Sequence, residues 1–120
     1  MRIFDVDQIP PSERSGVPAV LLSDETVEEA FRAAGGTTIL FTDRRIVTIQ
    51  LQVLLAERIE TTSYSYRALR QFSLTQGAQG ESRTEIRIWI GPSEQHPLHF
   101  RANPGTDFSG LQRLLAARLG

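Results

Sequence analysis

The chain has no cysteine and no lysine. Without cysteine, disulfide frameworks, thiolate zinc clusters and Cys-nucleophile chemistry are excluded. Without lysine, all 13 basic side chains are arginine, so any anion contact would be made by guanidinium groups, which suit planar bidentate pairing. No apolar run approaches the roughly 20 residues of a membrane span. The opening MRIFDVDQIPPSER carries acidic residues where a signal peptide needs its apolar core. The expectation is a soluble, cytoplasmic protein. A net charge of −1 argues against a nucleic-acid or membrane-surface role driven by bulk charge.

What is present fits one domain. A chain of 120 residues, 40% apolar and 22% charged, is large enough for a single core without staples. Pro10, Pro11, Gly16 and Pro18 mark residues 1–20 as an irregular N-terminal arm, with a short helical turn near Val17 to Leu22. The segment SDETVEEAFRAA has two readings. Ser23 or Asp24 caps a helix with Val27, Ala30, Phe31 and Ala34 on one face, or Val27, Glu29 and Phe31 alternate along a strand. Propensity favours the helix.

From Thr37 the pattern has period two. Ile39 and Phe41 share a face, and after Asp43-Arg44 the chain returns with Val47, Ile49 and Leu51 on one face and Ile46 on its reverse, an antiparallel hairpin. RIETTSYSY and LRQFSLTQ read as further strands, with Phe72 and Leu74 on one side of the second. RTEIRIWIG is the clearest strand, with Ile86, Ile88 and Ile90 alternating with Glu85, Arg87 and Trp89 until Gly91-Pro92. PLHFRA adds Leu98 and Phe100. Asn103 is a candidate N-cap and Pro104 suits a first helical position. Phe108, Leu111, Leu115 and Leu119 then recur at helical spacing, so an amphipathic helix over about 104–119 closes the chain. Six or seven strands and one terminal helix make a mainly β, α+β domain.

The order of these elements resembles the bacterial pleckstrin-homology-like domains. The resemblance rests on FTDRRIVTI (Phe41–Ile49), SYSYRALRQFSL (Ser63–Leu74) and EIRIWI (Glu85–Ile90) followed by Gly91, and it covers about Leu22 to Leu119. Two loops depart from the family pattern. Gly35-Gly36 stands where an Arg-Asp pair is common, and the apolar QVLLAER replaces a basic, Gly-containing turn. The resemblance implies a PH-like barrel over residues 21–120: about seven antiparallel strands in two roughly orthogonal sheets, capped by the C-terminal helix. It also implies that VEEAFRA is a strand, and that the protein forms homo-oligomeric rings.

Many PH domains hold phosphoinositides with basic residues after the first strand. Here that region is AAGGTTIL (Ala33–Leu40), without a positive charge, so headgroup recognition there is not expected. Arg44 and Arg45 at the hairpin bend are the candidate anion contact. The plainer reading has Arg44 solvated and Arg45 paired with a carboxylate of a neighbouring strand. His96 and His99, three apart around a Pro, would point to opposite faces of a strand and share no metal ion. No G-x-S-x-G elbow or phosphate-cradling loop occurs, so neither an enzyme nor a cofactor is expected.

Apolar and aromatic residues on faces that should be wet remain to be explained. Trp89 and Ile46 fall opposite the presumed core rows, with Tyr64 and Arg87 nearby. Trp, Tyr and Arg are favoured interface anchors, which makes these four the candidate interface. The expected function is a non-enzymatic interaction and scaffolding module that self-assembles and has a further, unidentified protein partner. The rival is an anionic-ligand or lipid-headgroup module using the exposed arginines.

Overall fold

The computed structural model describes residues 3–16, 21–53, 56–76, 83–91 and 98–119. In chain order the elements are β1 (Ile3–Gln8), a 3₁₀ turn (Pro11–Gly16), β2 (Val27–Ala33), β3 (Thr37–Thr42), β4 (Arg45–Val53), β5 (Glu57–Ser65), a 3₁₀ turn (Tyr66–Ala68), β6 (Leu69–Thr75), β7 (Glu85–Ile90), β8 (Leu98–Ala102) and α1 (Ser109–Arg118). The eight strands form one sheet in the order β5-β4-β3-β2-β1-β8-β7-β6. It curls into a half-barrel with α1 on its concave side. None of the helices among the described residues is long and apolar enough to cross a membrane.

This corrects the expected seven antiparallel strands in two sheets. Among the described residues there are eight strands in a single sheet, which is mixed because β1 pairs antiparallel with β2 and parallel with β8. It also corrects the irregular N-terminal arm. IFDVDQ alternates like any half-buried strand: Phe4 packs on the core and Val6 is fully buried, with Asp5 and Asp7 at the alternate positions. The Pro10-Pro11 pair follows the end of that strand instead of marking an irregular start. Residues 17–20 of the expected helical turn lie outside the described residues, as do Leu54 and Leu55 of QVLLAER, residues 77–82 and His96.

Val27–Ala33 is a strand, as the resemblance implies and against local propensity, because pairing on both sides overrides a weak preference. The β2–β3 connection is made by Gly35 and Gly36, with φ of 85° and 82°, values that favour glycine. The concave face carries the main core: Val6, Phe31, Ile39, Phe41, Ile46, Ile86, Ile88 and Phe100, closed by Phe108, Leu111 and Leu115. Edge-on ring contacts run through it, Phe31 to Phe108 at 5.5 Å and Phe41 to Phe100 at 6.3 Å between centroids.

The β3–β4 hairpin reverses one expectation. Its register sets Phe41 opposite Ile46 and Leu40 opposite Val47. Ile46 therefore faces the barrel interior and is fully buried, whereas Val47 and Ile49 form a second core on the convex face with Ile9, Ala30 and Leu40. Both faces of β3 and β4 are apolar, so alternation alone does not say which row points inward, and a one-residue slip exchanges the two rows. Leu21 and Val27 close the second core.

The terminal helix is shorter than expected. Asn103 and Pro104 belong to a turn in which the Thr106 N–H donates to the Asn103 carbonyl at 3.0 Å. The helix opens after Phe108, where the Asp107 carboxylate accepts from the Ser109 N–H at 2.9 Å. That bond, with a second from the Ser109 hydroxyl at 2.9 Å, holds the Asp107 carboxyl below its ordinary value. Leu119 lies just past the last helical turn and is exposed, so it does not join the core.

Candidate interaction surface

Arg45 opens β4, and its guanidinium turns onto the convex side toward the loop that precedes β2. Its Nε and Nη2 donate to the two carboxylate oxygens of Glu25, each at 2.9 Å, and Nη1 donates to Ser63 Oγ at 2.7 Å. The Glu25 side chain has no solvent exposure. It also accepts from Thr42 Oγ1 at 2.6 Å and from the Leu22 N–H at 3.1 Å. The Arg45 hydrogen bonds, followed by those from Thr42 and Leu22, outweigh burial and hold the Glu25 carboxyl down to about 2. Thr42 Oγ1 meanwhile accepts the N–H groups of Arg44 and Arg45. Arg44 pairs with Asp24 on the exposed side of the bend. Both arginines of the candidate anion contact are thus engaged by carboxylates of one preceding loop, and Arg45 is a clamp between that loop and the hairpin. The sequence suggests a carboxylate partner for Arg45 but not this one, because Glu25 lies twenty residues away in a loop without a periodic pattern.

The other candidates separate onto two faces. Tyr64 sits opposite Ile46 on β5 and packs, partly buried, against the main core, so it is not an outward residue. Ile46 is fully buried and offers nothing to a partner, which corrects its place in the candidate interface. Trp89 and Arg87 alternate with Ile88 and stand on the convex face of β7, opposite Gln71 and Ser73 of β6. Both are half-buried. The terminal helix does not cover Trp89, since Leu111 and Leu115 pack with Ile86 and Ile88 on the other face.

Around Trp89 and Arg87 runs a polar belt across β7, β8 and β1. Arg87 lies opposite His99, and Glu85 lies opposite Arg101. His99 is buried and its Nε2 is 2.5 Å from Glu85 Oε1, whereas its Nδ1 has no hydrogen-bond partner among the described residues. Arg101 forks onto Asp5 through Nε at 2.6 Å and Nη2 at 3.1 Å, and Arg83 reaches the same carboxylate at 3.0 Å. The Arg101 hydrogen bonds lower the Asp5 carboxyl and raise the guanidinium in return. This belt pins β1 to β8 from outside. Sequence alone misses it because Asp5 and Arg101 are opposite ends of the chain.

A second surface lies at the far end of the sheet. Leu51 of β4 stands directly opposite Ile59 of β5, and they are 39% and 71% exposed. Glu57 to Thr61 are all exposed, so this tip of β5 is open to solvent. Among the described residues no strand pairs with the outer edge of β5 or of β6. On the opposite side, a groove of about 370 Å³ between β2 and α1 is lined by Glu28, Glu29, Gly110 and Arg113. Burial raises the Glu29 carboxyl there, and Gln8 Nε2 donates to it at 3.4 Å. No group of three or more metal-ligating side chains occurs among the described residues.

A curled sheet closed by one C-terminal helix is the PH-like class of fold, and comparison with known proteins agrees. The bacterial PH domain family model matches residues 5–119, so the chain belongs to that family. It is 28% identical over 98 residues to the uncharacterized protein YjqA of Bacillus subtilis, covering 82% of this chain and 78% of that protein. A DUF1696 family protein with a pleckstrin-homology domain from Shewanella loihica superposes with a TM-score of 0.75 at 21% identity, covering 95% of this chain and 97% of that one. A pleckstrin homology domain from Shewanella amazonensis gives a TM-score of 0.65 at 23% identity, over 82% and 87% of the two chains. At that identity, the two structures speak for the fold alone.

Proposed function

We propose that this PH-like domain is a non-enzymatic protein-interaction module that self-assembles into a homo-oligomeric ring in the cytoplasm and scaffolds a protein partner. The observation that carries the reading is Trp89. It stands half-buried on the convex face of β7, away from the helix and beside an edge strand whose outer side is unpaired among the described residues. An aromatic flanked by Arg87 and Glu85 is the composition of an interface anchor with a polar rim.

The rival anion-binding reading loses ground because Arg44 and Arg45 are already held by Asp24 and Glu25. An incoming phosphate would have to displace a buried carboxylate from Arg45. The test is the native mass, by light scattering after size exclusion, of wild type and Trp89→Ala. A large wild-type assembly broken by the substitution is expected. A monomer for both, with salt-sensitive binding to anionic liposomes, would move the function to the arginines.

A further inference from the structure

We infer that β5 is a two-fold seam, at which a second copy of this chain pairs its own β5 antiparallel, centred on Ile59. The sequence at the tip, Glu57-Arg58-Ile59-Glu60-Thr61, is complementary to itself when reversed about Ile59. In that register Ile59 meets Ile59 of the other copy, and Arg58 meets Glu60 twice, once on each side of the axis. Opposite charges directly across a strand pair stabilise it, and like charges oppose it.

The faces agree with this register. Leu51 lies across from Ile59, so the pairing extends a single apolar stripe, Leu51–Ile59–Ile59–Leu51, over four strands on the convex side. Arg58 and Glu60 fall on the other side, opposite Gln52 and Gln50 of β4, where the paired charges remain wet. The strand is nine residues long and contains no proline, although long, flat edges are usually interrupted or covered. With Glu57 to Thr61 all exposed, the tip has room for a partner strand. The contact is isologous and uses none of the residues around Trp89, so it stands whether or not the ring does.

The absence of native cysteine allows a direct test, because each introduced thiol is unique. Under mild oxidation Ile59→Cys is expected to give a disulfide-linked dimer. Opposed residues have Cα atoms about 5 Å apart, within the range of about 4.4–6.8 Å that a disulfide spans. Arg58→Cys and Glu60→Cys, each alone, place like positions about 8 Å apart, two residues along and one strand across, and should stay monomeric on a non-reducing gel. Mixed together, they should cross-link.

In the cysteine-free chain, Arg58→Glu should weaken this association by about tenfold, and Arg58→Glu with Glu60→Arg should restore it. All three positions are exposed, so folding is not at stake, and circular dichroism would confirm it. The inference is overturned if Ile59→Cys fails to cross-link, if the 58 and 60 variants alone cross-link as well as it does, or if the charge swap restores nothing. Trp89→Ala is expected to leave the Ile59→Cys dimer intact, which separates failure of the seam from failure of the ring.

Discussion

Replacing Arg45 with alanine should cost about 3 kcal/mol at neutral pH, and that cost should fade in acid. The carboxyl of Glu25 is held at about 2 instead of the ordinary 4.5. At about 1.4 kcal/mol per pH unit this amounts to about 3 kcal/mol favouring the ionised over the neutral form. Not all of it belongs to Arg45, because Thr42 and Leu22 also donate, and the Arg45 side chain is 25% exposed. Against that discount stands the penalty of leaving a buried carboxylate without its counter-charge, for which losses of about 3–5 kcal/mol are typical.

The pH dependence follows from the direction of the shift. A carboxyl depressed in the folded state contributes stability above its unfolded value and loses it as pH falls through the folded one. The gap between wild type and Arg45→Ala should therefore be full above about pH 5 and close progressively between 4.5 and about 2. Urea unfolding at pH 7, 5 and 3 measures it. Replacing both partners, Glu25→Leu with Arg45→Met, should cost much less than Arg45→Ala alone. A loss below about 1 kcal/mol at pH 7, or one unchanged at pH 3, would refute the argument that this pair is a buried clamp.

Other substitutions test the packing. Ile46→Ala should destabilise by about 3 kcal/mol in urea unfolding, as a fully buried side chain does, whereas Trp89→Ala should cost the isolated fold clearly less. A larger loss at Trp89 would mean that the strand faces have been read the wrong way round. Gly35→Ala should cost about 1 kcal/mol for its positive φ alone. Gly36→Ala should cost about 1 kcal/mol more, because its new Cβ would lie 2.9 Å from Leu51 Cβ; equal melting temperatures would contradict this. Tyr66→Phe removes a buried hydroxyl that donates to the Thr42 carbonyl at 2.6 Å and should lose about 1–2 kcal/mol. A neutral outcome would show that the carbonyl finds another donor.

Much of the fold can be read from the sequence where one face of a strand is apolar and the other polar. EIRIWI is such a case, and Ile86 and Ile88 are buried as its alternation requires. The reading fails where a strand is apolar on both faces. ILFT and RIVTI supply two rows each, and only the three-dimensional cover of Ile9 and Leu21 explains why the Val47–Ile49 row is outside the barrel yet dry. It fails again at β1, where two prolines outweighed a six-residue alternation, and at Leu119, where helical spacing runs one residue past the helix. Ion pairs were the least legible feature. Glu25 with Arg45 and Asp5 with Arg101 join distant segments, and nothing local marks either carboxylate. Exposed Ile59 was hidden for the opposite reason, since one isoleucine between charged residues looks like an ordinary strand position.

The central claim is self-assembly, and native mass spectrometry of the wild-type chain across a dilution series tests it most directly. The account predicts one discrete multiple of the 13.4 kDa chain, greater than one and retained on dilution. A 13.4 kDa species alone at every concentration would contradict it.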